Sequence, residues 1–181
     1  MGIDTLVYRD ELIKAMEMLA QDERTIFIGQ TVAYPGSRFT YGTLEKVPPE
    51  KRIEMPVTEN MQMGISAGLA LAGYLPVSIY PRMDFLLYAG DQLVNHLDKL
   101  NDRSRGKFNP KVIIRAVIGG RNPYPGPQHC QDHTDAFKLM LTNIDVVRID
   151  HASQIMPAYR NALESERSTL ITEVGDLSAA K

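Results

Sequence analysis

Arg52-Ile53-Glu54-Met55-Pro56-Val57-Thr58-Glu59-Asn60-Met61-Gln62-Met63-Gly64, continued by Ile65-Ser66-Ala67-Gly68-Leu69-Ala70-Leu71-Ala72-Gly73 and Tyr74-Leu75-Pro76-Val77-Ser78-Ile79-Tyr80, reads as strand, helix and strand in immediate succession. Arg52 to Met55 is a short strand, Pro56 breaks it, and the helix begins at Glu59. No residue from Met61 to Gly73 is charged, and the small residues Gly64, Ser66, Ala67, Gly68, Ala70, Ala72 and Gly73 recur along it, so the helix is expected to be almost wholly buried. Leu75 to Tyr80 then returns as a buried strand. A strand, a covering helix and another strand is the unit of a parallel sheet.

Working outward, the same alternation extends along the chain. Toward the N-terminus, Leu6 to Gln21 carries Leu12, Ala15, Met16 and Leu19 at helical spacing, and Thr25 to Gly29 is a short buried strand. Toward the C-terminus the spacing predicts a helix over Phe85 to Leu100, a central strand over Lys111 to Ile118, and a helix over Thr134 to Leu141. A strand at Asp145 to Ile149, a helix at Ala152 to Glu164 and a last strand at Thr169 to Thr172 complete the series. The predicted fold is therefore a three-layer α/β/α domain around a mostly parallel sheet, in which ligands gather at the carboxyl ends of strands. Two long irregular stretches, residues 30 to 51 and 119 to 131, leave from such ends. Loops of that length inside a compact domain carry function more often than not.

Composition bounds the role. With 181 residues, 44% of them hydrophobic, and a formal charge of -2, the chain has material for one soluble domain spanning residues 1 to 181 and no charge bias toward nucleic acid. The sequence has no apolar run of membrane-spanning length, and Met1-Gly2-Ile3-Asp4-Thr5 lacks the basic and apolar regions of a secretion signal, so a cytoplasmic protein with no membrane partner is expected. The single cysteine, Cys130, forms no internal disulfide and is expected to pack as a small apolar residue. Glycine-rich nucleotide cradles are missing, and His129 and His133, four apart beside Pro125 and Pro127, lack a metalloprotease pattern, so no metal site is expected.

Glu59 stands out among the acids. With Thr58 as N-cap, its hydroxyl accepting from a free backbone N-H, Glu59 falls at the first helical position. There it either opposes the helix dipole or offers its carboxylate to something bound beyond the helix end.

Tyr8-Arg9-Asp10-Glu11-Leu12, Pro56-Val57-Thr58-Glu59 and the run Gly68 to Val77 resemble the beta subunit of the thiamine-diphosphate-dependent decarboxylase component of 2-oxo acid dehydrogenase complexes. Asp84-Phe85 followed by Ala89, Asp91-Gln92 and Asn95 is similar to that family's cofactor-side helix. Gly126-Pro127-Gln128-His129-Cys130-Gln131 resembles its histidine loop. The likeness runs from about Leu6 to Glu173 and corresponds to the pyrimidine-binding domain shared with transketolases.

The resemblance implies roles. Glu59 would hydrogen-bond a ring nitrogen of the cofactor's aminopyrimidine and favour the imino tautomer that deprotonates the thiazolium carbon, a task helped by an apolar pocket. Phe85 would pack on the pyrimidine, and His129 would face the reacting centre, with Gln128 and Gln131 as orienting partners on the substrate side. Gln30 stands where the family usually has an acid beside the cofactor, and Arg121-Asn122-Pro123-Tyr124-Pro125 stands where it has small residues; both departures imply altered cofactor or substrate contacts.

The family holds the diphosphate and its magnesium on another domain bearing Gly-Asp-Gly, a motif this sequence lacks, and its beta subunit continues into a further domain. The implied assembly pairs this chain with a separate diphosphate-binding, alpha-type subunit, two copies of each, with the apolar ends of the Glu59 and Phe85 helices as interface and self-association expected. The implied activity is decarboxylation of a 2-oxo acid; ketol transfer by a split transketolase and a non-catalytic scaffold are the alternatives.

Overall fold

The structure, a computed structural model, describes residues 6–37, 39–121 and 124–179. Met1 to Thr5, whose composition bears on secretion, and Asn122 and Pro123 of the departure in the histidine loop lie outside the described residues. Six strands form one sheet: β1 (Thr25–Gly29), β2 (Arg52–Glu54), β3 (Leu75–Tyr80), β4 (Ile113–Ile118), β5 (Asp145–Ile149) and β6 (Thr169–Val174). Their order is β2-β1-β3-β4-β6-β5 and every pairing is parallel. The chain steps from β1 outward to β2, then crosses back over β1 to β3. A reversal of this kind opens a crevice at the carboxyl ends of β1 and β3, which is where a doubly wound sheet binds its ligand.

Helices cover both faces. All six residues of β3 and of β4 are buried, because successive side chains point to opposite layers and both layers are filled. On one side Leu12, Met16 and Leu19 of α1 (Tyr8–Ala20) and Ile155 and Tyr159 of α6 (Ala152–Glu164) pack on Phe27, Val77, Ile79 and Ile171. On the other, Met63 of α2 (Glu59–Leu71), Met83 and Leu86 of α3 (Met83–Leu86) and Phe137 of α5 (Thr134–Met140) meet Tyr80, Ile114, Ala116 and Leu170. Each fully buried aliphatic side chain of these layers stabilises the fold by about 1.5–3 kcal/mol. No helix among the described residues is long and apolar enough to cross a membrane.

Several expectations change. The helix foreseen over Phe85 to Leu100 starts earlier, at Met83, and is not regular: a 3-10 turn at Leu87–Ala89 and a π-helical turn at Gln92–Leu97 follow α3, before α4 (Leu100–Arg103). The start moves because Arg82 is still extended, at φ -140° and ψ 132°, so the next residue is the first free to turn. The last strand runs two residues past Thr172 and leads into α7 (Gly175–Ala179). Helix α2 is not wholly buried either. Only Glu59, Gln62, Met63 and Ser66 are enclosed, while Met61, Ile65 and Leu71 face outward.

One charged group sits in the middle of the sheet. Arg115 of β4 lies beside Ile171 of β6, so Glu173, two residues on, projects into the same layer. The guanidinium donates from Nε to Glu173 Oε1 and from Nη2 to Oε2, both at 2.9 Å, with the two residues 0% and 1% exposed. Its remaining donors reach Thr43 Oγ1 at 2.7 Å and the Phe39 carbonyl at 3.0 Å, and the Tyr159 hydroxyl donates to Glu173. Burial works to lower the Arg115 pKa, but Glu173 outweighs it and carries the group above its ordinary value.

Breaking this pair from one side leaves a buried charge unmatched, so Arg115→Met is expected to cost about 3–5 kcal/mol in urea unfolding. Tyr8, Tyr80 and Tyr159 are raised above the ordinary tyrosine value of 10.0, burial being the leading cause in each. They stay protonated in the fold while the unfolded chain ionises, so stability is intact below about pH 10 and is lost as pH rises beyond it. An ultraviolet titration should show these three silent until alkaline unfolding begins.

Candidate active site

The residues singled out by sequence gather at the carboxyl ends of β1, β2, β3 and β4, and the structure joins them in two pairs. Glu59 opens α2 directly after β2 and is 6% exposed. Gln30 follows the last residue of β1, and its amide nitrogen donates to Glu59 Oε1 at 3.0 Å. An acid at position 30 would set two carboxylates against each other there, whereas the amide presents a donor and leaves Glu59 Oε2 for another partner.

The expected N-cap is absent. Thr58 turns its hydroxyl back to donate to the Pro56 carbonyl at 3.3 Å, and its side chain caps nothing. What fixes the start of α2 is a buried polar ladder beneath it. Gln62 Nε2 donates to the carbonyls of Ile28 at 3.4 Å and Ile79 at 3.0 Å and to Ser78 Oγ at 3.2 Å. Ser66 Oγ lies 3.0 Å from Ser78 Oγ, and the Tyr80 hydroxyl reaches the Glu59 carbonyl at 3.4 Å. The helix that carries Glu59 is thereby tied to the very crevice between β1 and β3.

Gln30 is held by a residue that sequence reasoning missed. The Glu54 carboxylate, at the end of β2, accepts from the backbone N-H of Thr31 at 2.6 Å, Val32 at 2.9 Å and Ala33 at 2.8 Å. Those bonds hold Thr31 at a φ of 56°, a left-handed conformation that a β-branched residue adopts only when its surroundings enforce it. The legible signal was an acid closing a strand beside a long loop.

The second pair is Phe85 and His129. Their rings meet edge to face, with centroids 5.5 Å apart and planes at 86°. His129 ends a single 3-10 turn, Pro127–His129, and Gln128 on the same turn is exposed. The loop is drawn in by glycine: a Cβ on Gly119 would fall 1.7 Å from the His129 carbonyl oxygen. Arg82 Nη1 donates to that same carbonyl at 3.3 Å. Cys130 is buried with its Sγ 3.5 Å from the Gly120 carbonyl, the packing role expected of it. Gln131 does not orient His129. Its side-chain and backbone nitrogens donate to Asp84 Oδ1 at 2.9 and 3.3 Å.

Residues 5–177 match the family model described as transketolase, pyrimidine binding domain. The chain belongs to that family. It is 31% identical over 134 residues to the 3-methyl-2-oxobutanoate dehydrogenase subunit beta of Mycobacterium tuberculosis, covering 72% of this chain and 38% of the relative. It is 33% identical over 133 residues to the pyruvate dehydrogenase E1 component subunit beta-1, mitochondrial, of Arabidopsis thaliana, covering 72% and 36%. The chain thus matches less than half the length of these relatives. A structure titled split gene transketolase, inactive beta4 tetramer, superposes with a TM-score of 0.71 at 22% identity, over 92% of this chain and 51% of that one. The transketolase of Campylobacter jejuni gives 0.69 at 17%, over 92% and 25%. At those identities the likeness carries the fold, an α/β/α transketolase-type domain.

A cleft of about 690 Å³ runs along the outer side of the histidine loop between Arg121, Tyr124, Cys130 and His133, and neither Glu59 nor His129 lines it. The Glu59 side of this pyrimidine-binding domain opens instead beside an apolar belt. Val57 is 77% exposed and Tyr88 72%, with Met61, Ile65, Leu71 and Leu87 uncovered around them.

Since no side chain fits at Gly119 without moving the loop, Gly119→Ala should displace His129 and cost about 1–3 kcal/mol. Urea unfolding and the chemical shifts of the His129 ring measure the two effects separately.

Proposed function

We propose that this chain is the pyrimidine-binding subunit of a thiamine-diphosphate-dependent enzyme acting on a 2-oxo acid, with the rest of the site on a separate diphosphate-binding, alpha-type subunit. The observation that carries this reading is the Gln30–Glu59 pair, an enclosed carboxylate at a helix start whose one oxygen is occupied by an amide donor at 3.0 Å. The pyrimidine end of the cofactor fits that arrangement, since an aminopyrimidine offers a ring nitrogen for the second carboxylate oxygen and a flat face for an aromatic side chain. The diphosphate end finds no counterpart in this sequence, which contains no Gly-Asp-Gly. On this reading magnesium would sit with the diphosphate on the partner subunit. The names of the relatives, beta subunits of 2-oxo acid dehydrogenases, support the substrate class.

When bound, thiamine diphosphate supplies a carbon nucleophile for the substrate carbonyl and a sink for the electron pair released with carbon dioxide. This chain's residues serve that chemistry from one side. Glu59 would hold and return a proton at the oxygen that Gln30 leaves free. Gln30, locked through Thr31 by Glu54, keeps the carboxylate from turning away. Phe85 would exclude water from the ring face and brace His129, which would exchange a proton with the substrate. Gln128, exposed on the same turn, would meet substrate.

The partner would cover the apolar belt of α2 and the 87–89 turn, a patch of the kind that marks subunit contacts, in a heterotetramer with two copies of each chain. A cytoplasmic setting suits the one buried, unpaired cysteine. Ketol transfer is the second reading, and the likeness to the split transketolase favours it at the level of fold.

Co-expression with a diphosphate-binding subunit should yield a complex that binds thiamine diphosphate with magnesium and consumes 2-oxo acids. Glu59→Ala should retain the complex and lower turnover by about 10²–10⁴-fold. Undiminished turnover in that variant would remove Glu59 from the mechanism, and a complex that binds no cofactor would make the chain a scaffold.

A further inference from the structure

Arg82 stands two residues past the carboxyl end of β3, and its guanidinium is where the two long loops meet. Nη1 donates to the His129 carbonyl at 3.3 Å, and Cζ lies 5.8 Å from the centre of the Phe39 ring. The group also fills the space left by Gly119, whose Cβ would fall 2.6 Å from Nη1. A ring under its flat face and a carbonyl at one edge hold the half-buried cation in place.

This frame contains no counter-charge. Among the described residues Arg82 makes no ion pair, and its Nε and Nη2 make no bond within the chain. Neither nitrogen is enclosed without a partner, so both are open to whatever approaches. Other arginines drawn in from the surface are matched: Arg115 by Glu173, Arg148 by Asp132 and Asp150, and Arg52 by the Val47 carbonyl. The comparison with Arg115 is direct. Its Nε and Nη2 form the edge that holds both oxygens of Glu173 at 2.9 Å, and the same edge of Arg82 is free. An immobilised guanidinium with that edge open, at the carboxyl end of a parallel sheet, fits a two-oxygen face of a carboxylate or phosphate.

We propose that Arg82 is a substrate-binding residue whose Nε-Nη2 edge receives an anionic group that the reaction leaves in place, a second carboxylate or a phosphate. The carboxylate that departs as carbon dioxide does not suit the edge. It loses its charge on the way to the transition state, so an ion pair there would favour the ground state and slow the step. A group that keeps its charge is bound alike throughout and lowers KM. That the anion belongs to a substrate rests on the proposed function; that this edge takes an anion does not.

Two measurements separate those statements. With the full chain alone, Nε-H correlation spectra at constant ionic strength follow the Arg82 signal, assigned by its loss in Arg82→Met, through titrations with glutarate and with inorganic phosphate. The signal should shift saturably, and the probe that saturates it at the lower concentration identifies the group. A shift no larger than those of the exposed Arg103, Arg105 and Arg160 overturns the proposal. In the complex with a diphosphate-binding subunit, a substrate bearing the favoured group should exceed its counterpart without it by about tenfold or more in kcat/KM, 2-oxoglutarate over 2-oxopentanoate or a ketose phosphate over the free ketose. Arg82→Met should erase that margin through KM, and Arg82→Lys should keep part of it. Equal loss for both members of a pair makes Arg82 a clamp of the His129 loop and overturns the substrate role. A complex without turnover, beside a saturable shift, overturns the proposed function and leaves the anion-binding edge standing.

Discussion

The buried pair of Arg115 and Glu173 is the constraint on which the rest of the architecture depends. It lies at the centre of the sheet, and it also holds elements that the sheet alone would not: the Phe39 carbonyl, the Thr43 hydroxyl and the Tyr159 hydroxyl all bind to it. A guanidinium so placed is tolerable only because every side of it meets an acceptor. Losing any one contact would leave the others to neutralise a charge in an apolar layer. The long segment after β1 is therefore held on the sheet both by this network and by the buried side chains of Val32, Phe39, Leu44 and Val47. That packing in turn puts Thr31 within reach of Glu54, and Gln30 beside Glu59.

The order of elements was legible because each has a single periodicity. Leu12, Met16 and Leu19 recur at helical spacing, and Val112-Ile113-Ile114 is too short and too branched for anything but a strand. The strand order was not legible, because a parallel sheet is closed by crossovers whose destination no local pattern encodes. Glu59, Phe85 and His129 could be named in advance only through the company of their motifs. Their pairing could not, since Gln30 and Glu59 are 29 residues apart and meet only because β2 is placed outside β1. Arg115 also left a signal, since a charge between Ile114 and Ala116 in a run buried on both faces demands a partner at the same depth.

The start of α2 shows where a local rule yields to tertiary packing. A threonine before a helix is read as a cap because its hydroxyl commonly accepts from a free N-H. Thr58 is drawn away by the tight entry after Pro56, and the Gln62 ladder then holds the helix from its inner side. The same ladder explains why α2 could seem wholly buried. Its inner side carries the polar Gln62, bound to strand carbonyls and Ser78, and Ser66, bound to Ser78, beside Met63, while Met61, Ile65 and Leu71 are left outside.

That inversion bears on how the site is completed. Exposed apolar side chains of this kind mark subunit contacts, and Val57 and Met61 flank the end of the helix that carries Glu59. On the proposed reading, the surface that would bury the belt and the surface that would complete the cofactor site belong to the same approaching subunit. Covering Val57 and Met61 would close off the little solvent that reaches the Glu59 carboxylate, which the chain by itself already leaves only 6% exposed. The Gln30 amide and the pair of Phe85 and His129, both built within the chain, are the parts of the site already set before the partner arrives.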